Sequence, residues 1–292
     1  MIGVGVGSTS PLNQQLIPQS ADIAGEVEPV FQTAQMTDML PIVLVAQTEN
    51  LSPQAQSVTP QIMPPNGWAQ ILSKYTSMDG QGLVRFDYGG LRSTPSDMKL
   101  LADYIAKLST KSPSAMANNE AMAYWANLYN ALTVQVVAQN YPVTSIRKIK
   151  SGRRKGPWKR KLVRVEGQDL SLDNIEHDIL RPTYKTPLVH YMVNCASIGC
   201  PNLKTSPWQA ATLQADMEAA ALAYIGSERG AKFENNRLEV SRIYKWFKKD
   251  FGNSETGVLE HLRQYGDADI RQKLATRTKI DKYGYDWALN AP

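Results

Sequence analysis

Basic residues are missing from the first quarter of this 292-residue chain: residues 1–73 contain no Lys or Arg, against five Asp or Glu. That absence excludes the positively charged start of an ordinary cleavable signal peptide. Long apolar runs are missing as well. The one within residues 1–65, MLPIVLVA at 39–46, follows Asp38 and is far shorter than the ~20 residues that cross a bilayer, so no transmembrane span is expected. Cysteine occurs twice, at Cys195 and Cys200, too seldom to settle a redox compartment. Neither a phosphate-binding glycine loop nor a dinucleotide fingerprint occurs. No repeat or regular strand–helix alternation is visible, which argues against a doubly wound α/β fold. No cofactor is expected.

What is present divides in two. Residues 1–65, rich in Gln, Ser, Thr, Pro and Gly, read as a flexible, low-complexity leader or the remnant of an export segment. A single globular domain is expected over 66–292. It carries the basic charge: residues 74–292 hold 32 Lys and Arg against 22 Asp and Glu, so the chain's net +5 becomes +10 there.

Chemistry-bearing residues concentrate in SLDNIEHDILRPTYKTPLVHYMVNCASIGCP, Ser171–Pro201, which holds two of the three histidines and both cysteines. Leu172, Ile175, Ile179 and Leu180 share one helical face, and Glu176 falls in the middle of it. Its carboxylate is therefore expected to be buried and to need a donor, a cation or a raised pKa. Ser171 is the expected N-cap, and Arg181-Pro182 the end of a helix of about ten residues that presents Glu176 and His177 at one flank. LVHYMVNC, 188–195, reads as a buried strand. Alternation puts His190 and Asn194 on one of its faces and Cys195 on the other, which makes His190 a pocket or structural residue. Ser206-Pro207-Trp208-Gln209 has the form of a capping box opening a helix to about Ile225.

This set supports nucleophilic chemistry: Cys195 as thiolate, His177 to activate it, Glu176 to orient the ring, acting on a small-molecule or peptide substrate. That reading gives a cysteine-dependent hydrolase or acyl transferase. The alternative is a non-catalytic binding module in which Cys195 and Cys200 form a structural disulfide. Metal binding ranks third, because the cysteine separation exceeds the usual loop spacing of zinc ligands, and no metal site is assigned.

The strongest element elsewhere is the helix 119–140, apolar nearly all round and therefore central and buried. Asn127 and Asn130 project from it, either to tether neighbouring loops or to line a pocket, with Asn130 as the pocket amide. Residues 147–164, RKIKSGRRKGPWKRKLVR, hold ten basic side chains and no acid. With Gly152, Gly156 and Pro157 the stretch reads as a hairpin tip, where Arg153, Arg154, Lys155 and Trp158 would meet an anionic partner unless it is a solvated loop. Helices are expected at NGWAQILSKYTS, at SDMKLLADYIAKLS with Ser96 as cap, and at IYKWFKKDF, ETGVLEHLRQYG and ADIRQKLAT; strands at GLVRFDY, RLEVSR and near the C-terminus. His261, among charged helix residues, is expected to face solvent. Helices dominate, so the fold class is α+β, mainly helical with a small sheet.

NEAMAYWANLYNAL, SLDNIEHDILR, HYMVNCASIGCP, SRIYKWFKKDF and YDWALN stand in one order. In these blocks the chain from about Asn66 to Asn290 resembles the domain of unknown function 547 family. The resemblance implies motif positions at Glu176, His177, His190, Cys195 and Cys200 but no activity. It implies export, periplasmic or otherwise, while the missing signal leaves the cytoplasm open. The order of a helix followed by a His-containing strand is also loosely similar to papain-like and transglutaminase-like folds. Those place a cysteine at the start of the central helix, where this chain has Asn119 and Glu120.

Overall fold

The computed structural model describes residues 66–152 and 154–292, within the unit Pro60–Pro292. The leader 1–65 with its apolar run 39–46 lies outside the described residues, as do Arg153 and the side chains of Arg154 and Lys155. No helix among the described residues is long and apolar enough to cross a membrane.

The architecture is mainly helical α+β, organised around one buried helix. Helix α1 (Gly67–Tyr75) begins at Asn66, whose Oδ1 accepts the Ala69 N–H at 2.9 Å. It leads into the short hairpin β1 (Thr76–Met78) and β2 (Val84–Phe86), then α2 (Tyr88–Arg92) and α3 (Pro95–Ser109). Helix α3 starts one residue ahead of the expected Ser96 cap: Thr94 is the cap residue, and Pro95 occupies the first turn, where its missing N–H costs nothing. Next comes α4 (Asn118–Asn140), which is buried on every side from Ala121 to Val134. Leu128, Leu132 and Val137 are fully inaccessible, each stabilising the fold by roughly 1.5–3 kcal/mol relative to exposure. A helix with no polar stripe must be enclosed, and α2, α3 and the segment 174–180 pack around this one.

Beyond α4 the basic stretch forms a hairpin, β3 (Lys150–Ser151) against β4 (Arg154–Lys155), followed by the hairpin β5 (Val163–Val165) and β6 (Gln168–Leu170). Two expectations then fail. The Ser171 helix does not stop at Arg181-Pro182. Asn174–Leu180 widens into a π-helix that continues as α5 (Arg181–Tyr184), ended by Lys185 in the left-handed region (φ 49°). The wide turn precedes Pro182, whose ring would clash with the carbonyl four residues back in a regular α-helix. The expected buried strand 188–195 is absent: Pro187–Tyr191 is a 3-10 turn and the chain from Met192 to Ala196 is irregular. Pro187 and the Thr186 Oγ1 that accepts the Leu188 N–H start a turn, and apolar β-branched content alone does not distinguish a buried turn from a buried strand. The segment is buried as expected, but in another backbone state.

Helix α6 (Leu213–Ile225) begins seven residues after the proposed Ser206 cap, because the Trp208 backbone is held by Asn127 instead. Strands β7 (Ala231–Glu234) and β8 (Arg237–Ser241) pair antiparallel. Helix α7 (Ile243–Trp246) and a 3-10 turn, Lys248–Phe251, precede α8 (Glu255–Tyr265), α9 (Ala268–Leu274) and β9 (Lys282–Gly284), which pairs in parallel with β8. The C-terminal tail then runs into the centre. The Leu289 N–H donates to the Thr144 carbonyl, Asn290 N–H to Ala196, and Phe86 N–H to the Asn290 carbonyl.

His261 is buried, contrary to the solvent-facing expectation. It shares the inner face of α8 with Val258 and Leu262, and its Nε2 lies 2.7 Å from the Tyr191 hydroxyl. Burial, with a smaller contribution from His190, lowers its pKa from 6.5 to about 4. The depressed folded value means that its contribution is complete above pH 6.5 and is lost as pH falls toward 4, where the unfolded chain takes the proton first. The stability advantage of the native protein over His261→Phe should therefore shrink between pH 6.5 and 4 by up to about 3 kcal/mol, measured by urea unfolding. Parallel pH profiles for the two proteins would contradict the buried, neutral imidazole.

Candidate functional site

A cavity of about 190 Å³ gathers residues from α4, the 158–201 region, α7 with Phe247, and the tail at Tyr285 and Trp287. Glu176, His177, His190, Cys195, Cys200 and Trp158 all line it. Asn127, Asn130 and Asn194 do not. Their amides are used on backbone: Asn130 accepts the Asn194 N–H at 2.9 Å and donates to the Met192 carbonyl at 2.8 Å, and Asn127 holds the N–H and carbonyl of Trp208, both at 2.9 Å. Asn194 spans Pro201 and Ala196. These three are tethers rather than ligand contacts, because irregular buried backbone has no strand neighbour to satisfy it.

Glu176 finds the donor its position demands. Its side chain is 13% exposed, and the Tyr129 hydroxyl donates to Oε2 at 3.0 Å. Burial and the adjacent carboxylate push the Tyr129 phenol well above its usual range, so it stays a donor. His177 Nδ1 lies 3.8 Å from Glu176 Oε1 and 3.3 Å from Arg181 Nη1. A guanidinium can only donate, so Nδ1 is an acceptor there and the Glu176 approach is not a charge pair. The stronger carboxylate–imidazole pair is His190 with Asp250: Nε2 to Oδ2 is 2.7 Å, and the ring stacks on Phe247 at 4.4 Å. Burial alone would raise the Asp250 carboxyl, but hydrogen bonds from His190 and the forked Arg181 guanidinium hold it well below the ordinary range. With no strand at 188–195, the alternation that set His190 apart from Cys195 no longer applies, and both face the same cavity.

Cys195 and Cys200 are joined by a disulfide. The Tyr285 hydroxyl lies 3.1 Å from both sulfurs, and Ser197 Oγ lies 3.2 Å from Cys195 Sγ. Neither histidine is a hydrogen-bond partner of either sulfur. Burial pushes the Tyr285 phenol up, so it too stays protonated. The loop turns at Ala196, in the left-handed region (φ 59°), where the Asn194 side chain accepts its N–H. Gly199 is required by close approach: a Cβ there would meet the Asp286 backbone at 2.9 Å. Closing so short a loop stabilises by about 2 kcal/mol in the chain-entropy model.

Sequence reasoning missed Tyr129, Asp250, Arg181, Trp246, Tyr285 and Trp287. The clustering of aromatics in IYKWFKKDF and YGYDW, within a chain that is only 8% aromatic, was the available signal. In the basic stretch, Arg147 stacks over Trp287 at 5.1 Å, and Arg147, Lys148 and Lys150 border a second hollow of about 590 Å³ that shares Trp287. Among the described residues, no group of three or more His, Cys, Asp or Glu could hold a metal ion.

Residues 113–225 match the model of the family described as protein of unknown function, DUF547. The chain carries a DUF547 domain. No curated protein and no solved structure matches it. The DUF547 stretch supplies Tyr129, Glu176, both cavity histidines and the cysteine loop, while Trp246, Phe247, Tyr285 and Trp287 lie beyond the matched residues. The cavity is thus completed from outside the DUF547 match.

The bridge has a direct consequence for thiol chemistry. Under native conditions without reductant neither cysteine should alkylate with iodoacetamide; after reduction both should, adding two groups by intact mass. Uptake of two groups without reductant would contradict the disulfide.

Proposed function

We propose that the cavity is a small-ligand binding site and that the bridged cysteines serve as part of its wall. One observation carries this reading: the Cys195 sulfur is bonded to Cys200 and hydrogen-bonded by hydroxyls, with no imidazole placed to activate it. Around that wall stand acceptors and donors aimed at a bound molecule, Glu176 fixed by Tyr129 and His190 fixed by Asp250, beside a surface of aromatic rings. The basic stretch 147–164 is where an anionic partner would dock alongside. A persistent disulfide supports an exported, oxidising location such as the periplasm.

A second reading rests on a separate observation. Cys195, His177, His190 and Glu176 line one cavity, so reduction would release a thiol beside two imidazoles and a carboxylate, the set a cysteine hydrolase or acyl transferase needs. In that case His190, oriented by Asp250, is a better base than His177, whose Nδ1 already accepts from Arg181.

A ligand-observed NMR screen of small neutral, cationic and anionic molecules separates the two. Binding should occur without reductant and weaken about tenfold or more in Glu176→Gln, some 1.4 kcal/mol. Turnover of esters or thioesters that appears only after reduction and vanishes in Cys195→Ser would replace the binding reading with the thiol one.

A further inference from the structure

The charge of the cavity wall runs against that of the protein. Residues 74–292 carry a net +10, yet among the described residues no Lys or Arg lines the cavity, and its carboxylates are Asp173 and Glu176. An anionic group placed beside these two carboxylates would meet like charge, which favours neutral or cationic ligands at that part of the wall.

The aromatic side chains narrow the choice. Trp158, Trp287, Tyr285 and Trp246 form an unbroken run, with centroid separations of 5.8, 4.6 and 4.9 Å between successive members. Trp246 also reaches back to Trp287 at 5.5 Å. A cage for a quaternary ammonium surrounds the cation with ring faces held apart by the ion itself. Here the rings touch one another at interplanar angles of 71°, 55° and 57°, so they leave no gap for an ion and offer a ligand single ring faces, that of the part-exposed Trp246 foremost, bordered by the edges of the others. Local backbone serves that surface: at Gly156 (φ 80°) the Trp158 indole occupies the space a Cβ would need. Trp246 remains 43% exposed, an unusual state for the largest side chain and a sign that something covers it.

We propose that this aromatic run, together with the Asp173 and Glu176 carboxylates, forms a subsite for one neutral pyranose ring of an oligosaccharide. The C–H face of such a ring lies on the electron-rich face of Trp246, with the neighbouring rings at its rim, while its hydroxyls donate to carboxylate oxygens. Among the described residues Glu176 Oε1 has no hydrogen-bond donor, Tyr129 having taken Oε2, and so is the acceptor for a sugar hydroxyl. The volume agrees. At about 190 Å³ the cavity is smaller than the roughly 300–1,000 Å³ of drug-sized pockets, and it holds one ring with the rest of the chain outside. The proposal rests on the reading of the cavity as a ligand site and names the ligand's class.

The test uses the full chain, without reductant, titrated calorimetrically with cellotetraose, maltotetraose and the tetramer of N-acetylglucosamine. Choline, tryptamine and tetragalacturonate are run in parallel. At least one neutral tetrasaccharide should bind, with affinity falling about tenfold or more in Trp246→Ala, recovering in Trp246→Tyr, and falling in Glu176→Gln. The Trp246→Tyr variant, which keeps an aromatic ring against Tyr285 and Trp287, should hold the native melting temperature. Binding of choline, tryptamine or tetragalacturonate alone, with the same dependence on Trp246, overturns the sugar assignment and leaves the ligand site standing. Sugar binding indifferent to Trp246→Ala overturns the subsite. If no tetrasaccharide binds at all, the sugar assignment falls, while the ligand-site reading falls only if the NMR screen is empty as well.

Discussion

Buried backbone without a regular partner is the constraint on which the rest of this structure depends. The chain from Met192 to Trp208 runs as neither helix nor strand, so its buried N–H and carbonyl groups must be met by side chains or by the C-terminal tail. Helix α4 meets those at its two ends. Asn130 takes the Asn194 N–H and Met192 carbonyl, and Asn127 takes both backbone groups of Trp208. Leaving a buried polar group unpaired costs about 1–3 kcal/mol, so two amides on adjacent turns decide where the whole loop lies. On the same helix Tyr129 fixes Glu176. One helix thereby locates two walls of the cavity.

The remaining walls depend on contacts distant in sequence. Asp250, in the turn after α7, gathers His190 and Arg181, and through them the 187–191 turn and the π-helical segment. The tail threads back along Ala196 and Thr144, placing Tyr285 over the disulfide and Trp287 against Trp158. Separations of 60 residues or more connect these partners, for example 60 for His190 and Asp250 and 90 for Cys195 and Tyr285. The matched family region, residues 113–225, includes Trp158 of the aromatic wall but not Trp246, Tyr285 or Trp287.

How far the molecule could be read from its sequence follows from the same physics. Helix α4 was legible because an all-apolar periodic segment has only one comfortable place, the interior. Glu176 was legible because a carboxylate on an apolar face needs a donor. The 188–195 segment was not, since its apolar β-branched residues fit a buried strand as well as a buried turn, and the deciding hydrogen bonds come from Asn130, more than sixty residues away. His261 was misjudged from its charged neighbours, although the spacing of Val258, His261, Leu262 and Tyr265 marks one helical face. His190 was set aside by a strand alternation that does not exist, and Asp250 was invisible because only the fold brings it to an imidazole.

Amide hydrogen exchange in Asn130→Ala tests most directly whether α4 side chains hold the site in place. The Asn194 amide should exchange about tenfold faster or more than in the native protein, with the Cys195–Cys200 loop following it, while the core amides of α4 change only with global stability. An Asn194 amide whose protection is unchanged, or falls only in step with that of α4, would contradict the account.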